Sequence, residues 1–241
     1  MDEVKTMESI AKEISKEKEK YDNLKKLEAE RDKKIKEIKN SHKKENEKKD
    51  EMIGKIKKEY QSKISELIRK GEACTFNDAK KFIEPLYQQL IKLTIEQIKK
   101  TNLKELDLEE YIKPEGICEG IAIGIGFLDA LKKTQLRKFF DQIKDLEHRL
   151  KSKKSNEDLS NEDLNKIKIE VLTLIPKLAY SKGRKLIDDE FYNFMKALLL
   201  RLKNDMNENA KDVFEKFVNI LESVLAYYTY HFPSLSKGGT T

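Results

Sequence analysis

The chain has no tryptophan, only two cysteines, four prolines and nine glycines among its 241 residues. Cys74 and Cys118 lie far apart and show no metal-type spacing, so they read as reduced thiols and not as a disulfide framework or a zinc site. Scarce proline and glycine, few turn dipeptides and almost no alternating apolar/polar runs argue against sheet and for long helices. His42, His148 and His231 are isolated from one another and are expected at the surface or at an edge, not as ligands or bases. A nucleophile elbow, a His-Glu-x-x-His helix and a Cys/His cluster are all missing, so no catalytic constellation, metal or cofactor is expected. The longest apolar stretch, Ile117 to Leu131, is interrupted by Glu119 and Asp129 and is too short to span a bilayer. The start, Met1-Asp2-Glu3, is acidic and does not read as a signal peptide. A cytoplasmic protein without membrane contact is expected.

What the chain does have is charge. Charged residues make up 39% and the hydrophobic set 38%, too little for one large core. The net charge of +6 is uneven: residues 1–70 hold 22 Lys/Arg against 17 Asp/Glu, residues 71–129 hold 7 against 11, and residues 130–241 hold 21 against 16. A basic C-terminal part beside an acidic middle suits a polyanion partner on one side and protein contact on the other.

The expected fold is all-α, a C-terminal bundle of about five helices preceded by a long charged helical or coiled-coil arm. In residues 1–70 the apolar positions Ile10, Ile14, Tyr21, Leu24, Ile35 and Ile38, then Met52, Ile56, Tyr60, Ile64 and Leu67, recur at steps of three, four and seven. Lys39 to Glu51 holds no apolar residue, so either one long helix runs through or the chain turns near Asn40-Ser41 into a hairpin. Gly71 is the expected C-cap, and Thr75 to Asp78 offers an N-cap for a helix near 78–100. Its stripe is Phe82, Ile83, Leu86, Leu90, Leu93 and Ile98, with Pro85 kinking it or resetting its start. Residues 101–115 read as a polar connection. Domain boundaries are therefore placed after residue 70 and residue 115, with the bundle over 116–233 and a disordered tail over 234–241. On that division, residues 1–100 are dispensable for folding of the bundle.

Glycines 116, 120 and 124 fall on one helical face, where they admit a close neighbour; the segment lacks the Lys-Ser/Thr of a phosphate loop. Leu131 to Leu150 reads as an amphipathic helix capped by Thr134, with Leu136, Phe139, Phe140, Ile143 and Leu146 inward and Arg137, Lys138 and Lys144 outward. A polar linker over 151–165 precedes helices near 163–182, 186–203 and 208–230. Asp188-Asp189-Glu190 is explained by the dipole of a helix start, not by a metal.

Pro176 to Lys185 gathers Lys177, Lys182, Arg184 and Lys185 with Tyr180 and Gly183, and no acid stands between Glu170 and Asp188. One-signed charge interrupted by an aromatic is a footprint for a phosphate backbone. Tyr180 itself is expected in the core.

Three segments in order resemble the small helical subunit of type III-A (Csm) CRISPR–Cas effector complexes. They are Thr134-Gln135-Leu136-Arg137-Lys138-Phe139-Phe140, Pro176-Lys177-Leu178-Ala179-Tyr180 with Gly183-Arg184, and Glu222-Ser223-Val224-Leu225-Ala226-Tyr227-Tyr228-Thr229-Tyr230. The likeness covers about residues 103–235; Ile175 stands where the family often has Lys, and the long charged arm has no counterpart. It implies a non-enzymatic subunit that stacks along an effector filament with other subunits and meets the backbone of the guide RNA–target RNA duplex, since pairing supplies the specificity. The residues placed to meet phosphates are Arg137, Lys138, Lys177, Lys182, Arg184 and Lys185, the two arginines gripping in bidentate fashion. Self-association through stacking or through the N-terminal arm is expected as well. The competing reading is a coiled-coil adaptor that docks another protein without touching nucleic acid.

Overall fold

A computed structural model describes residues 2–41, 46–131, 133–152, 160–207 and 209–233. These residues are predominantly helical, and their only β-type pairing is an isolated bridge between Leu131 and Ile187. The helices are α1 (Asp2–Asn40), α2 (Asn46–Lys70), α3 (Phe76–Lys100), α4 (Leu108–Ile112), α5 (Ile117–Leu128), α6 (Lys133–Lys151), α7 (Asn161–Gly183), α8 (Asp189–Asp205) and α9 (Ala210–His231). Contacts divide the chain into two compact units, Met1–Ser15 with Ile83–Thr241, and Lys16–Phe82. The sequence-based boundaries after residues 70 and 115 lie inside these units.

In the Lys16–Phe82 unit the apolar-poor gap resolves into two helices, and Ser41 donates its amide to the Ile38 carbonyl at 3.2 Å where α1 ends. Leu24 and Leu27 pack with Ile64, Leu67 and Ala73, while the Lys34 ammonium lies 5.1 Å from the centre of the buried Tyr60 ring. Advancing along α1 therefore retreats along α2, so this is the antiparallel hairpin. Its seam is thin, and its outer face is laced with Glu51–Lys55, Glu59–Lys63 and Glu66–Lys70 pairs at 2.6, 2.6 and 2.7 Å. Each has Glu four residues before Lys, the favourable orientation on a helix, but water screens pairs this exposed. Gly71, at φ 72°, turns the chain out of α2 while the Glu72 amide returns to the Leu67 carbonyl at 2.9 Å. The Thr75 hydroxyl then caps α3 by accepting from the Asp78 amide at 3.2 Å. Pro85 sits inside α3 and neither ends it nor resets its start.

In the other unit α5 is the central element, with ten of its twelve residues buried. It packs most heavily on α9, which also meets α6 and α8. The small-residue face works as expected at Gly120: a Cβ there would come within 3.0 Å of the Cα of Ala11. At Gly124 a Cβ would overlap the Tyr87 ring, and at Gly126 it would overlap that of Phe232. Met7, Ala11 and Ile14 are buried in this unit with Ile83, Tyr87, Leu90, Ile91, Thr94 and Ile98 of α3. The stripe of α3 is thus rotated from the expected one, and Phe82 is 47% exposed.

The stretch 101–115 is not a loose connection. Leu103, Leu106 and Tyr111 are buried, and a 3-10 turn spans Leu103–Glu105. The buried Asp205 carboxylate accepts from the Leu103 amide and from Arg201 Nε, both at 2.7 Å, which satisfies an otherwise orphaned donor. Lys216 Nζ donates to the Lys104 and Leu106 carbonyls at 2.6 and 2.9 Å.

The expected Thr134 cap is displaced, because α6 already begins at Lys133; the Leu136 side chain lies outside the described residues, as do residues 153–159 of the linker and 234–241 of the tail. Phe139, Ile143 and Leu146 face the core, whereas Phe140 is only half-buried. Both cysteines are buried and unpaired. Burial pushes the Cys74 thiol up to about 12, aided by the neighbouring Glu17 carboxylate, and raises Cys118 as well. Neither is reactive near neutral pH.

Candidate nucleic-acid interface

Helices α6, α7 and α8 meet around a cavity of about 400 Å³. Phe139 of α6, Pro176 and Leu178 of α7, Leu131, Ile187 and Phe191 supply its apolar lining. Lys138, Gln142, Lys177, Tyr180 and Ser181 supply the rest, and no Asp or Glu is among the lining residues. Lys177 Nζ donates to Gln142 Oε1 at 2.6 Å, and Gln142 Nε2 donates to the Lys138 carbonyl at 3.2 Å. A single amide therefore ties the two cationic elements together across the α6–α7 junction.

The chain leaves α7 through a turn that aims further cations outward. The Leu186 amide bonds the Ser181 carbonyl at 3.0 Å and the Lys185 amide bonds the Lys182 carbonyl at 2.8 Å, with Lys185 at φ 55°. This is the six-to-one, five-to-two pattern of a helix C-terminus, with lysine standing where glycine is the usual residue. Left-handed φ at a non-glycine residue costs on the order of 1 kcal/mol. The turn is held at its far end: the Asp188 amide donates to the Ala130 carbonyl at 2.8 Å, and its carboxylate caps α8 by accepting from the Phe191 amide at 2.7 Å. Desolvation at this junction, with Glu190 and Asp189 adding repulsion, pushes the Asp188 carboxyl up to about 6 despite the Phe191 bond. The acidic triplet is accordingly a helix start, as expected, and among the described residues no cluster of His, Cys, Asp or Glu is fit to hold a metal.

The six sequence-selected cations are not equivalent. Lys138 and Lys177 share the cavity wall. Arg184 lies over the Tyr180 ring at 5.6 Å from its centre, and Tyr180 is 67% exposed, not buried in the core as expected. Leu178 fills the core position, which turns a residue two steps on to the outside of the helix. Arg137 and Lys185 are exposed but do not line the cavity. Lys182 is engaged inside the molecule: it pairs with Asp189 at 3.1 Å and lies 4.9 Å from the Tyr192 ring centre, binding α7 to the start of α8. Gln142 and Ser181 escaped the sequence reading; the spacing of Gln142 four residues after Lys138 was the available signal.

Elsewhere in this unit, α9 is pinned to α5 by a largely buried pair. His231 Nε2 lies 2.6 Å from Glu119 Oε1, and the other Glu119 oxygen accepts from the Glu115 amide at 2.5 Å. Burial acts to raise the Glu119 carboxyl, but the two hydrogen bonds outweigh it and leave the group below its ordinary value. His231 is thus a packed partner and not a loose surface residue.

Residues 117–234 match the family model described as Csm2 Type III-A. This region belongs to that family. The family so described is that of a subunit of type III-A CRISPR effector complexes. The matched Csm2 region begins with α5 and runs past α9, and it contains all six sequence-selected cations, the cavity and the Tyr180–Arg184 pair. The hairpin and α3 lie outside it. No curated protein and no solved structure matches the chain. Among the described residues, no helix is long and apolar enough to cross a membrane.

Proposed function

We propose that the chain is the non-catalytic small subunit of its effector complex and binds the RNA backbone of the guide–target duplex through the α6–α7–α8 face, without sequence preference. The observation that carries this reading is the convergence of Lys138 and Lys177 on one acid-free wall beside Arg184 on the exposed Tyr180. Fixed helices space such cations to meet phosphates, and pairing between guide and target supplies specificity. Arg137 and Lys185 extend the patch, while Lys182 contributes through the fold and its residual charge. Stacking of copies along the filament and contacts to the other effector subunits are part of the same proposal, as is a cytoplasmic location.

The test is RNA binding by the full chain, wild type against Arg137→Ala/Arg184→Ala, over a salt series with two unrelated RNAs. Binding equal for both RNAs, with a salt slope reduced by one to two counterions in the variant, is the expected outcome. A strong preference between RNAs of equal length, or a salt slope identical in wild type and variant, refutes it. The adaptor reading has its own support in Ile68, Phe76 and Phe82, large apolar residues left exposed in the Lys16–Phe82 unit. Tight binding of an effector subunit through that unit, with no RNA binding at low salt, would favour it.

A further inference from the structure

Backbone binding alone leaves the cavity unexplained. Phosphates need cations on a surface, and they gain nothing from an apolar recess lined by Phe139, Pro176, Leu178, Ile187 and Phe191. An occupant must combine a flat or compact apolar body with a negative group, because the charged residues of the lining are Lys138 and Lys177 and none is acidic. Tyr180, which also lines the cavity, is exposed and backed by a guanidinium, the arrangement that stacks on a π-face. We infer that this cavity receives an unpaired nucleobase of the bound RNA, held by stacking on Tyr180 and by apolar contact within, while Lys138 and Lys177 hold the flanking phosphates. The inference rests on the RNA-binding reading above and adds the base to it.

The polar lining says that the base is held without being identified. Gln142 already accepts from Lys177 and donates to the Lys138 carbonyl. The Ser181 hydroxyl donates to the Lys177 carbonyl at 3.1 Å, within its own helix. These groups are committed to the protein and do not present a donor–acceptor pattern to a Watson–Crick edge. Stacking is sequence-tolerant because every base has a π-face. The pocket is therefore consistent with a subunit that accepts any guide.

The experiment compares binding of the full chain to a labelled single-stranded RNA and to an oligomer of equal length and charge whose bases are replaced by abasic sites. Two variants are measured with both. Tyr180→Ala removes an exposed ring without disturbing the core, and Ser181→Phe fills the cavity without removing a cation. Wild type is expected to bind the normal RNA about 5- to 100-fold more tightly than the abasic one. Both variants are expected to fall toward the abasic level with the salt slope unchanged, and homopolymers of different bases to bind within a few-fold of one another. Equal binding of normal and abasic RNA, with the salt slope intact, overturns the base pocket and leaves the backbone reading standing. Strong selection of one base overturns sequence-tolerant stacking. No binding of either oligomer at low salt removes both readings together.

Discussion

Gly124→Ala and Gly183→Ala are the same chemical change in the same compact unit, and the structure assigns them opposite signs. Both glycines are helical, so each substitution gains roughly 0.5–1 kcal/mol from the smaller conformational freedom of alanine in the unfolded chain. At Gly183 an added Cβ meets nothing within 4 Å, and that gain stands alone. At Gly124 the nearest three atoms to an added Cβ all belong to Tyr87, a fully buried side chain whose ring cannot swing into solvent. Forcing a methyl group into such a site costs about 1–3 kcal/mol, and overlap with ring carbons places it toward the upper end. The net expectation is a loss of about 1–2 kcal/mol at Gly124 and a gain of about 0.5 kcal/mol at Gly183. Urea unfolding followed by circular dichroism measures both, with the slope against denaturant checked for constancy. If Gly124→Ala proves as stable as wild type, the close seating of α3 on α5 is wrong.

Tyr87 supplies a second prediction, since its buried hydroxyl has no hydrogen-bond partner among the described residues. Tyr87→Phe is expected to leave stability unchanged or raise it by up to about 1 kcal/mol in the same unfolding assay, whereas a loss above that would reveal a partner for the hydroxyl. Asp188 gives a pH signature: its carboxyl is raised to about 6 when folded, so protonation favours the folded state. Its contribution is complete below the ordinary aspartate value and is lost as pH rises through about 6. Asp188→Asn keeps an acceptor for the Phe191 amide, and stability profiles of the two proteins are expected to differ in slope only between about pH 4 and 6; parallel profiles would contradict the burial argument.

Much of the helical order was legible because it depends on local chemistry. Gly71 and Thr75 terminate and start helices by their own backbone and hydroxyl geometry, and the Asp188 triplet announces α8. The glycines of α5 marked a close approach, though not which neighbour makes it. Periodicity names a face and leaves its partner open: Ile10 and Ile14 read as the start of a coiled-coil seam, yet they are buried in the unit that holds α5 to α9. Leu103, Leu106 and Tyr111 were missed because they sit in or beside a 3-10 turn and a five-residue helix, too short to show a repeat. At the candidate interface the cations were visible as a run, but the pairing of Lys182 with Asp189 depends on how the turn at Lys185 folds back. The exposure of Tyr180 follows from which neighbour wins the core.

The division of the chain has a consequence for its synthesis. The unit that contains α5 to α9 also owns the first fifteen residues, so the hairpin of Lys16–Phe82 is an insertion within it, not an appendage before it. At about 5–20 residues per second, Ala11 leaves the ribosome many seconds before Gly120, the residue it packs against. During that interval Met7, Ala11 and Ile14 form an apolar face with nothing to cover it, while the hairpin already has its whole sequence. Trimming from the N-terminus would leave that face permanently missing. Cutting out 16–82 and joining 15 to 83 through a short linker is the way to reduce this protein to the unit that carries its Csm2-matched region.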